Sequence, residues 1–204
     1  MRSKLLDGAV KPIRYTWLPY FNGISVKPVF FIDMDDVLVL DARYTSYQVR
    51  ECFRLNDMDW QELWDGLVDG AARANLQALH DEFSPTYVIS SSWTKFLTRE
   101  QLVEVLRRTG LDFVADNLHD EWATPKSPGK YRDDEIWSWL QMVFPGQAPA
   151  SLPLLALDDN ESGWTLADSP LDRAGQVVLC EVWQGLTTEK LEEAQRLMRA
   201  QLQR

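Results

Sequence analysis

The sequence predicts an α/β protein in which helices cover both faces of a mostly parallel, five-stranded sheet. Five short apolar stretches alternate with segments of helical periodicity over most of the 204 residues, a pattern typical of three α/β/α layers. The first and fourth of these stretches run directly into acidic residues. A chain of this length has room for one domain with a sizeable core.

The predicted strands are short runs rich in β-branched, aromatic and leucine residues, as expected for strands buried on both faces of a sheet. In chain order they are Val29–Asp33, Thr86–Ser90, Phe113–Val114, Leu154–Leu157 and Val177–Val182. Residues 1–28 contain several prolines and show no sustained period, which predicts an irregular N-terminal arm. The main domain is then expected to span residues 29–204.

Helices are predicted where apolar residues recur on one face of a helical period. The predicted ranges are Trp60–Phe83, Thr98–Arg108, Asp133–Val143 and Thr188–Leu202. In the second of these, Thr98 is followed three residues later by Gln101, which is a capping-box pattern. Polar residues 119–129 predict a loop, and residues 39–59 predict a short flap beside the first strand.

Charge and composition exclude several classes of protein. The formal net charge of −10 argues against a protein that coats nucleic-acid backbone. No apolar run approaches the length of a membrane span, and the first residues lack the apolar region of a signal peptide. Cys52 and Cys180 match no metal-binding or redox spacing, which indicates reduced thiols in a cytoplasmic protein.

Side chains suited to phosphate and metal chemistry follow three of the predicted strands. Asp33 and Asp35 come after the first strand, serines 90–92 after the second, and Asp158 and Asp159 after the fourth. Because the carboxyl ends of parallel strands share one edge, these groups are expected to converge. Neighbouring carboxylates repel one another, and a divalent cation with oxygen ligands would offset that repulsion.

In order and spacing these residues resemble the motifs of the haloacid dehalogenase-like (HAD-like) hydrolase superfamily. The matching pieces are Asp33–Leu38, Val88–Ser91, Lys130 before a helix, and Leu157–Asp159. The resemblance covers about residues 29–185. Further similarity to a small-capped branch, which includes phosphatase-like domains of RNA-repair proteins, comes from Ser90–Trp93, Glu135–Ile136, Trp139–Leu140 and Gln184–Thr187. The resemblance implies a Rossmann-like fold with a minimal cap.

The resemblance also implies an activity, that of a magnesium-dependent phosphatase working through an aspartyl-phosphate. Asp33 would be the nucleophile and Asp35 the general acid and base. Magnesium would be held by Asp33, by Asp35 through its backbone carbonyl, and by Asp158 and Asp159. Because Asp35 is present, phosphate chemistry is favoured over cleavage of a carbon–halogen bond.

The phosphate-binding residues are less narrowly defined than the acids. Either Ser91 or Ser90 would donate to a phosphoryl oxygen. Three basic residues compete to neutralise its charge, namely Lys126, Lys130 and Arg132. The alternation of side chains along a strand does not decide which of the two, Ser90 or Ser91, faces the site.

The short flap predicts an open cleft that admits bulky phosphorylated substrates, among them a nucleotide, a polynucleotide end or a phosphoprotein. The sequence departs from the family where Asp36 replaces the glycine that usually follows the second acid. This departure supports a rival hypothesis, in which the chain is a catalytically decayed module that binds metal or phosphate. A metal-dependent glycosyltransferase fits less well, because it would not explain the acids after the fourth strand.

Overall fold

The computed structural model describes residues 20–21, 24–25, 27–126 and 131–204. Most of the predicted N-terminal arm therefore lies outside the described residues. Within it, Tyr20–Phe21 (β1) pairs antiparallel with Ile24–Ser25 (β2). In the described part of the chain, no helix combines the length and the apolar character needed to cross a bilayer.

Five strands form one sheet in which every neighbouring pair is parallel. They are β3 (Val29–Ile32), β4 (Thr86–Ile89), β5 (Leu118–Ala123), β6 (Leu154–Asp159) and β7 (Val177–Cys180). Their order across the sheet is β5-β4-β3-β6-β7, so the first strand of the sheet lies at its centre. The predicted parallel sheet is confirmed.

Helices flank this sheet. They are α1 (Ser46–Leu55), α2 (Gln61–Leu67), α3 (Gly70–Phe83), α4 (Arg99–Arg108), α5 (Asp112–Ala115), α6 (Arg132–Val143), α7 (Pro170–Arg173) and α8 (Thr188–Leu202). The predicted helix after Thr98 is confirmed with its capping box, in which Thr98 and Gln101 bond each other's backbone N–H groups. The predicted C-terminal helix is confirmed as α8.

Two separate apolar clusters cover the two faces of the sheet, which makes the three-layer α/β/α fold. Alternate residues of β3 point to opposite sides, with Phe30 in one cluster and Phe31 in the other. The Phe30 side includes buried residues of α3, α4 and α8. On the other side, Phe31 meets Trp139 of α6 edge-on, with ring centroids 5.1 Å apart. This contact fixes α6 against the centre of the sheet.

The predicted third strand was wrong. Phe113 and Val114 belong to α5, and the strand is β5, which lies in the segment that the sequence predicted as a loop. β5 is an edge strand whose six residues are half-buried or exposed, so it lacks the apolar run of a central strand. The apolar pair at 113–114 instead packs on the core from a short helix.

The segment between β3 and β4 is more helical than predicted. The range predicted as one helix, residues 60–83, is divided into α2 and α3 by Val68, whose backbone is extended. Asp69 then caps α3, because its carboxylate accepts from the N–H groups of Ala71 and Ala72. The predicted flap contains α1, which begins at the capping box of Thr45.

A tight turn after β3 accommodates the residue that departs from the family pattern. Asp36 has a φ of +56° in the left-handed region, where glycine is most at ease and aspartate is better tolerated than most residues. Its N–H donates to the carbonyl of Val39 (2.9 Å), and its carboxylate accepts from the backbone N–H of Trp183 (2.9 Å). The side chain therefore ties the turn to the loop after β7.

We expect replacement of Asp36 by alanine to destabilise the protein, because alanine loses this acceptor and strains a left-handed backbone. The expected cost is about 1–3 kcal/mol in the free energy of unfolding, measured by urea denaturation. Asp36→Asn keeps both the acceptor and the tolerance of this backbone, and should unfold close to the native midpoint. Equal midpoints for the alanine and asparagine variants would contradict the assigned contact.

Candidate active site

The register of three strands brings polar residues together at one edge of the sheet. Ile32 of β3 is paired with Ile89 of β4 and with Leu157 of β6. The residues that follow these three, Asp33, Ser90 and Asp158, therefore lie side by side at the carboxyl edge. Backbone hydrogen bonds continue to this point, from Asp33 N to Leu157 O (2.9 Å) and from Ser90 N to Ile32 O (2.8 Å).

Three buried carboxylates form a cluster at this edge. Asp33, Asp158 and Asp159 are each at most 3% exposed, and each offers one oxygen within 4.8 Å of those from the other two. The Oδ1 atom of Asp33 is buried and has no hydrogen-bond partner among the described residues. Carboxylate oxygens are the ligands that Mg²⁺ and Ca²⁺ prefer, so the donor set and this unpaired oxygen fit a hard divalent cation.

Arg132 of α6 supplies the positive charge that pairs with the cluster. Its Nη2 lies 3.1 Å from Asp33 Oδ2, and its Nε lies 2.6 Å from Asp158 Oδ2. The side chain is 8% exposed, and Nη1 is 3.5 Å from Glu135 Oε2. The Arg132 guanidinium thus contacts two acids of the cluster and Glu135. Among the described residues, the cluster keeps an excess of negative charge when its three acids are ionised.

Ser162 contacts all three acids, although the sequence analysis did not identify it. Its Oγ lies 3.1 Å from Asp33 Oδ2 and 3.0 Å from Asp158 Oδ1, and it also bonds Asp159 Oδ2. The loop turns back over the acids because Asp159 Oδ1 accepts from two backbone N–H groups, at 161 and 162. A Cβ on Gly163 would lie 2.7 Å from Asp159 O, so this close approach requires glycine.

Burial dominates the electrostatics of two of these acids. It raises the pKa of Asp33, whereas Arg132 and the Ser91 hydroxyl act in the opposite direction. It also raises the pKa of Asp158 well above its usual range, and repulsion from Asp33 adds to this effect while Arg132 opposes it. The cluster therefore resists full ionisation unless more positive charge is present.

Asp35 lies outside the three-carboxylate cluster and is less buried than its members. Its Oδ2 accepts from the indole N–H of Trp93 at 2.9 Å, and Trp93 is fully buried. Burial raises the pKa of Asp35 to about 6, against the lowering effect of this hydrogen bond. A carboxyl group with such a pKa can hold a proton near pH 6, which suits a general acid. Sequence analysis included Trp93 in the family resemblance but did not predict its bond to Asp35, because a buried tryptophan is a common core residue.

The predicted phosphate-binding residues occupy different positions. The Ser91 hydroxyl acts to lower the pKa of Asp33, against the larger effect of burial. The Ser90 hydroxyl lies 3.4 Å from Thr124 Oγ1. Arg132 is in the acidic cluster. Lys126 bonds Thr124 Oγ1 (3.1 Å) and pairs with Glu135 Oε2 (2.5 Å). Lys130 lies outside the described residues.

An open cleft of about 170 Å³ borders this cluster through Arg132 and Ser162, which line the cleft and contact the acids. Its lining combines hydroxyl groups, cations, an acid and one aromatic ring, from Ser92, Lys95, Lys126, Tyr131, Arg132, Glu135 and Ser162. Polar and cationic groups therefore converge beside buried acids, which is an arrangement suited to an anionic ligand.

Comparison with known proteins gives one match. The family model described as the HAD domain in Swiss Army Knife RNA repair proteins matches residues 29–191. No curated protein and no solved structure matches the chain. The matched range includes the whole parallel sheet, the acidic cluster and the lining of the cleft. The chain therefore belongs to the family of HAD domains found in Swiss Army Knife RNA repair proteins.

Proposed function

We propose that this HAD domain is a magnesium-dependent phosphomonoesterase that forms an aspartyl-phosphate on Asp33. One observation carries the proposal: three buried acids and Arg132 meet where an open cleft reaches the carboxyl edge of the sheet. Membership of a HAD family supports a hydrolase. The nucleophile, the metal and the substrate are our assignments.

The metal would be held by Asp33, Asp158 and Asp159, with the backbone carbonyl of Asp35 as a further ligand. When bound, Mg²⁺ would supply positive charge that stabilises the phosphoryl oxygens. The support from the geometry is the close approach of three carboxylates, among which the described residues place one guanidinium. The hard oxygen donors favour magnesium over softer metals.

Asp33 is the proposed nucleophile because its two carboxylate oxygens differ. Oδ2 contacts Arg132 and Ser162, whereas Oδ1 has no hydrogen-bond partner among the described residues. Attack of a carboxylate oxygen on phosphorus would break the bond to the leaving oxygen and give the aspartyl-phosphate. Arg132 and the Ser91 hydroxyl would bind the transferred phosphoryl oxygens.

Asp35 is the proposed general acid and base. It would donate its proton to the leaving oxygen, and then accept a proton from the water that attacks the phosphorus of the intermediate. That attack would release phosphate and restore the Asp33 carboxylate. The indole of Trp93 supports this role, because it holds the Asp35 carboxyl group in one orientation.

The proposed substrate is a nucleotide or the phosphorylated end of a polynucleotide. The family description names RNA repair proteins, which supports a substrate of this class. The cleft is open to solvent and lined by cations, so a phosphate at the end of a long chain has access. A chain with a net charge of −10 would bind such a substrate locally and not along an extended surface.

The rival hypothesis of a decayed binding module drew on two features. One is Asp36 in place of the usual glycine, and this side chain has a structural bond to the backbone N–H of Trp183. The other is the ambiguity of the basic residue, and Arg132 contacts two of the acids, while Lys130 lies outside the described residues. We therefore favour the catalytic hypothesis.

We expect Asp33→Asn to reduce the hydrolysis of an aryl phosphate by at least about 1000-fold, because the nucleophile is lost. The measurement is release of phosphate in the presence of Mg²⁺, with circular dichroism to check the fold. Asp36→Asn is the matched control, an amide for an acid three residues away, and should retain activity.

Full turnover by Asp33→Asn would refute this nucleophile. If the native protein shows no turnover with any phosphate ester, trapping of a metal fluoride decides between the hypotheses. A catalytic site should bind beryllium fluoride with Mg²⁺ and lose that binding in Asp33→Asn, whereas a decayed site should not bind it.

Asp35→Asn should slow alkyl phosphates more than aryl phosphates, because only a poor leaving group depends on protonation. We expect a loss of about 100- to 10,000-fold for an alkyl ester and a much smaller loss for p-nitrophenyl phosphate. The measurement is kcat over a series of esters ordered by leaving-group pKa. An equal loss across the series would remove Asp35 from the role of acid.

Magnesium should stabilise the native protein against unfolding, because it binds a cluster that exists only in the folded state. At 100 times the dissociation constant the expected gain is about 2.7 kcal/mol. Thermal unfolding with Mg²⁺ and with EDTA measures it. Asp158→Asn should lose most of the gain, whereas Glu161→Gln, which changes an exposed acid of the same loop, should keep it. A similar gain in both variants would exclude the cluster as the metal site.

A further inference from the structure

Two exposed aromatic rings stand together at the rim of the cleft. Tyr131 is 56% exposed and Trp164 is 59% exposed, although both are large side chains. Their ring centroids are 5.5 Å apart and their planes meet at 67°. Contiguous exposed apolar surface is uncommon on a soluble domain and often marks a binding site, so this aromatic pair requires an explanation.

The aromatic pair is adjacent in sequence and in space to the proposed catalytic groups. Tyr131 lines the cleft and directly precedes Arg132, while Trp164 follows two residues after Ser162. The contact of Arg132 Nη2 with Ser162 Oγ (3.3 Å) joins the two segments beside the acids. A second bond joins the same two segments, from Asp133 N to Thr165 Oγ1 (3.4 Å). The rings are therefore held at a set distance from the acidic cluster.

The cations of the same cleft favour an anionic partner. Lys95 and Lys126 line it together with Arg132. Within the described part of the chain Lys95 forms no ion pair, whereas Lys126 is paired with Glu135. A ligand that joins a flat ring to a phosphate would satisfy the aromatic pair and these cations at once. A nucleotide has this composition, and stacking on aromatic side chains is the usual way in which proteins bind an unpaired base.

We infer that Tyr131 and Trp164 form a stacking site for the base of the nucleotide whose phosphate is hydrolysed at Asp33. The inference rests on the proposed function. It adds that the protein recognises the base of the substrate nucleotide. The two rings meet edge to face and both side chains are largely exposed, so an exposed ring face is available to stack on a base. Every base has a flat face, and the site should therefore select for the presence of a base more than for its identity.

The test compares Trp164→Ala and Tyr131→Ala with the native protein on matched substrates. One substrate is a short oligonucleotide with a terminal phosphate, and the other is the same chain with an abasic terminal residue. On the complete substrate we expect KM to rise about 5- to 100-fold in each variant, with kcat changed little. On the abasic substrate the variants should match the native protein. Trp137→Ala, which removes an exposed tryptophan outside the aromatic pair, is the control and should behave as native.

Binding measured without turnover separates this inference from the proposed function. Calorimetry with Asp33→Asn should show tighter binding of the complete oligonucleotide than of the abasic one, and the difference should vanish when Trp164→Ala is added. That result together with no hydrolysis by any protein would overturn the phosphatase and keep the stacking site. Equal affinity for the two oligonucleotides would overturn the stacking site whatever the activity.

Binding of two further ligands distinguishes the classes of substrate that the aromatic pair could recognise. A mononucleotide that binds as tightly as the oligonucleotide, with the same dependence on Trp164, supports a site that reads one base. Tighter binding of the oligonucleotide supports a polynucleotide end. Binding of a phosphotyrosine peptide that depends on Trp164, without binding of either nucleotide ligand, would overturn the inference in favour of a phosphoprotein.

Discussion

The register of the three central strands is the constraint on which the site depends. Because Ile32, Ile89 and Leu157 lie side by side, the residues after them must share one edge of the sheet. A shift of one residue in a strand would turn its side chains to the opposite face. The two apolar clusters that cover the sheet prevent such a shift. Packing of the core thus supplies the free energy that holds like charges together.

The same constraint explains why the acids were predictable and the basic residue was not. Strands buried on both faces have a distinctive apolar run, and acids that end such a run must lie at its edge. Lys126, Lys130 and Arg132 carry long side chains in a polar segment, where no periodic pattern orients them. The contacts of Arg132 with Asp33 and Asp158 depend on the docking of α6, which the contact of Trp139 with Phe31 fixes. That contact joins residues far apart in the chain.

Sequence analysis missed β5 and α1 for different reasons. The edge strand β5 has no fully buried residue, so its sequence resembles a polar loop. The sequence did contain a signal for helix α1, because Thr45 and Gln48 repeat the capping-box spacing of Thr98 and Gln101. The sequence contains no such signal for Ser162, because a serine in a polar turn is common. Its role appears only when the loop after β6 turns back over the acids.

Burial of like charges in the acidic cluster lowers the stability of the folded protein. Three carboxylates are buried beside one guanidinium, and burial of charge without full compensation is unfavourable. The raised pKa values of Asp33 and Asp158 record that cost, with burial as the largest cause in each. A second guanidinium would lower the excess of negative charge, and a bond from it to the Asp33 oxygen that has no hydrogen bond among the described residues would occupy that oxygen. Incomplete neutralisation of the acids by the described residues is therefore compatible with binding of a metal ion at this edge of the sheet.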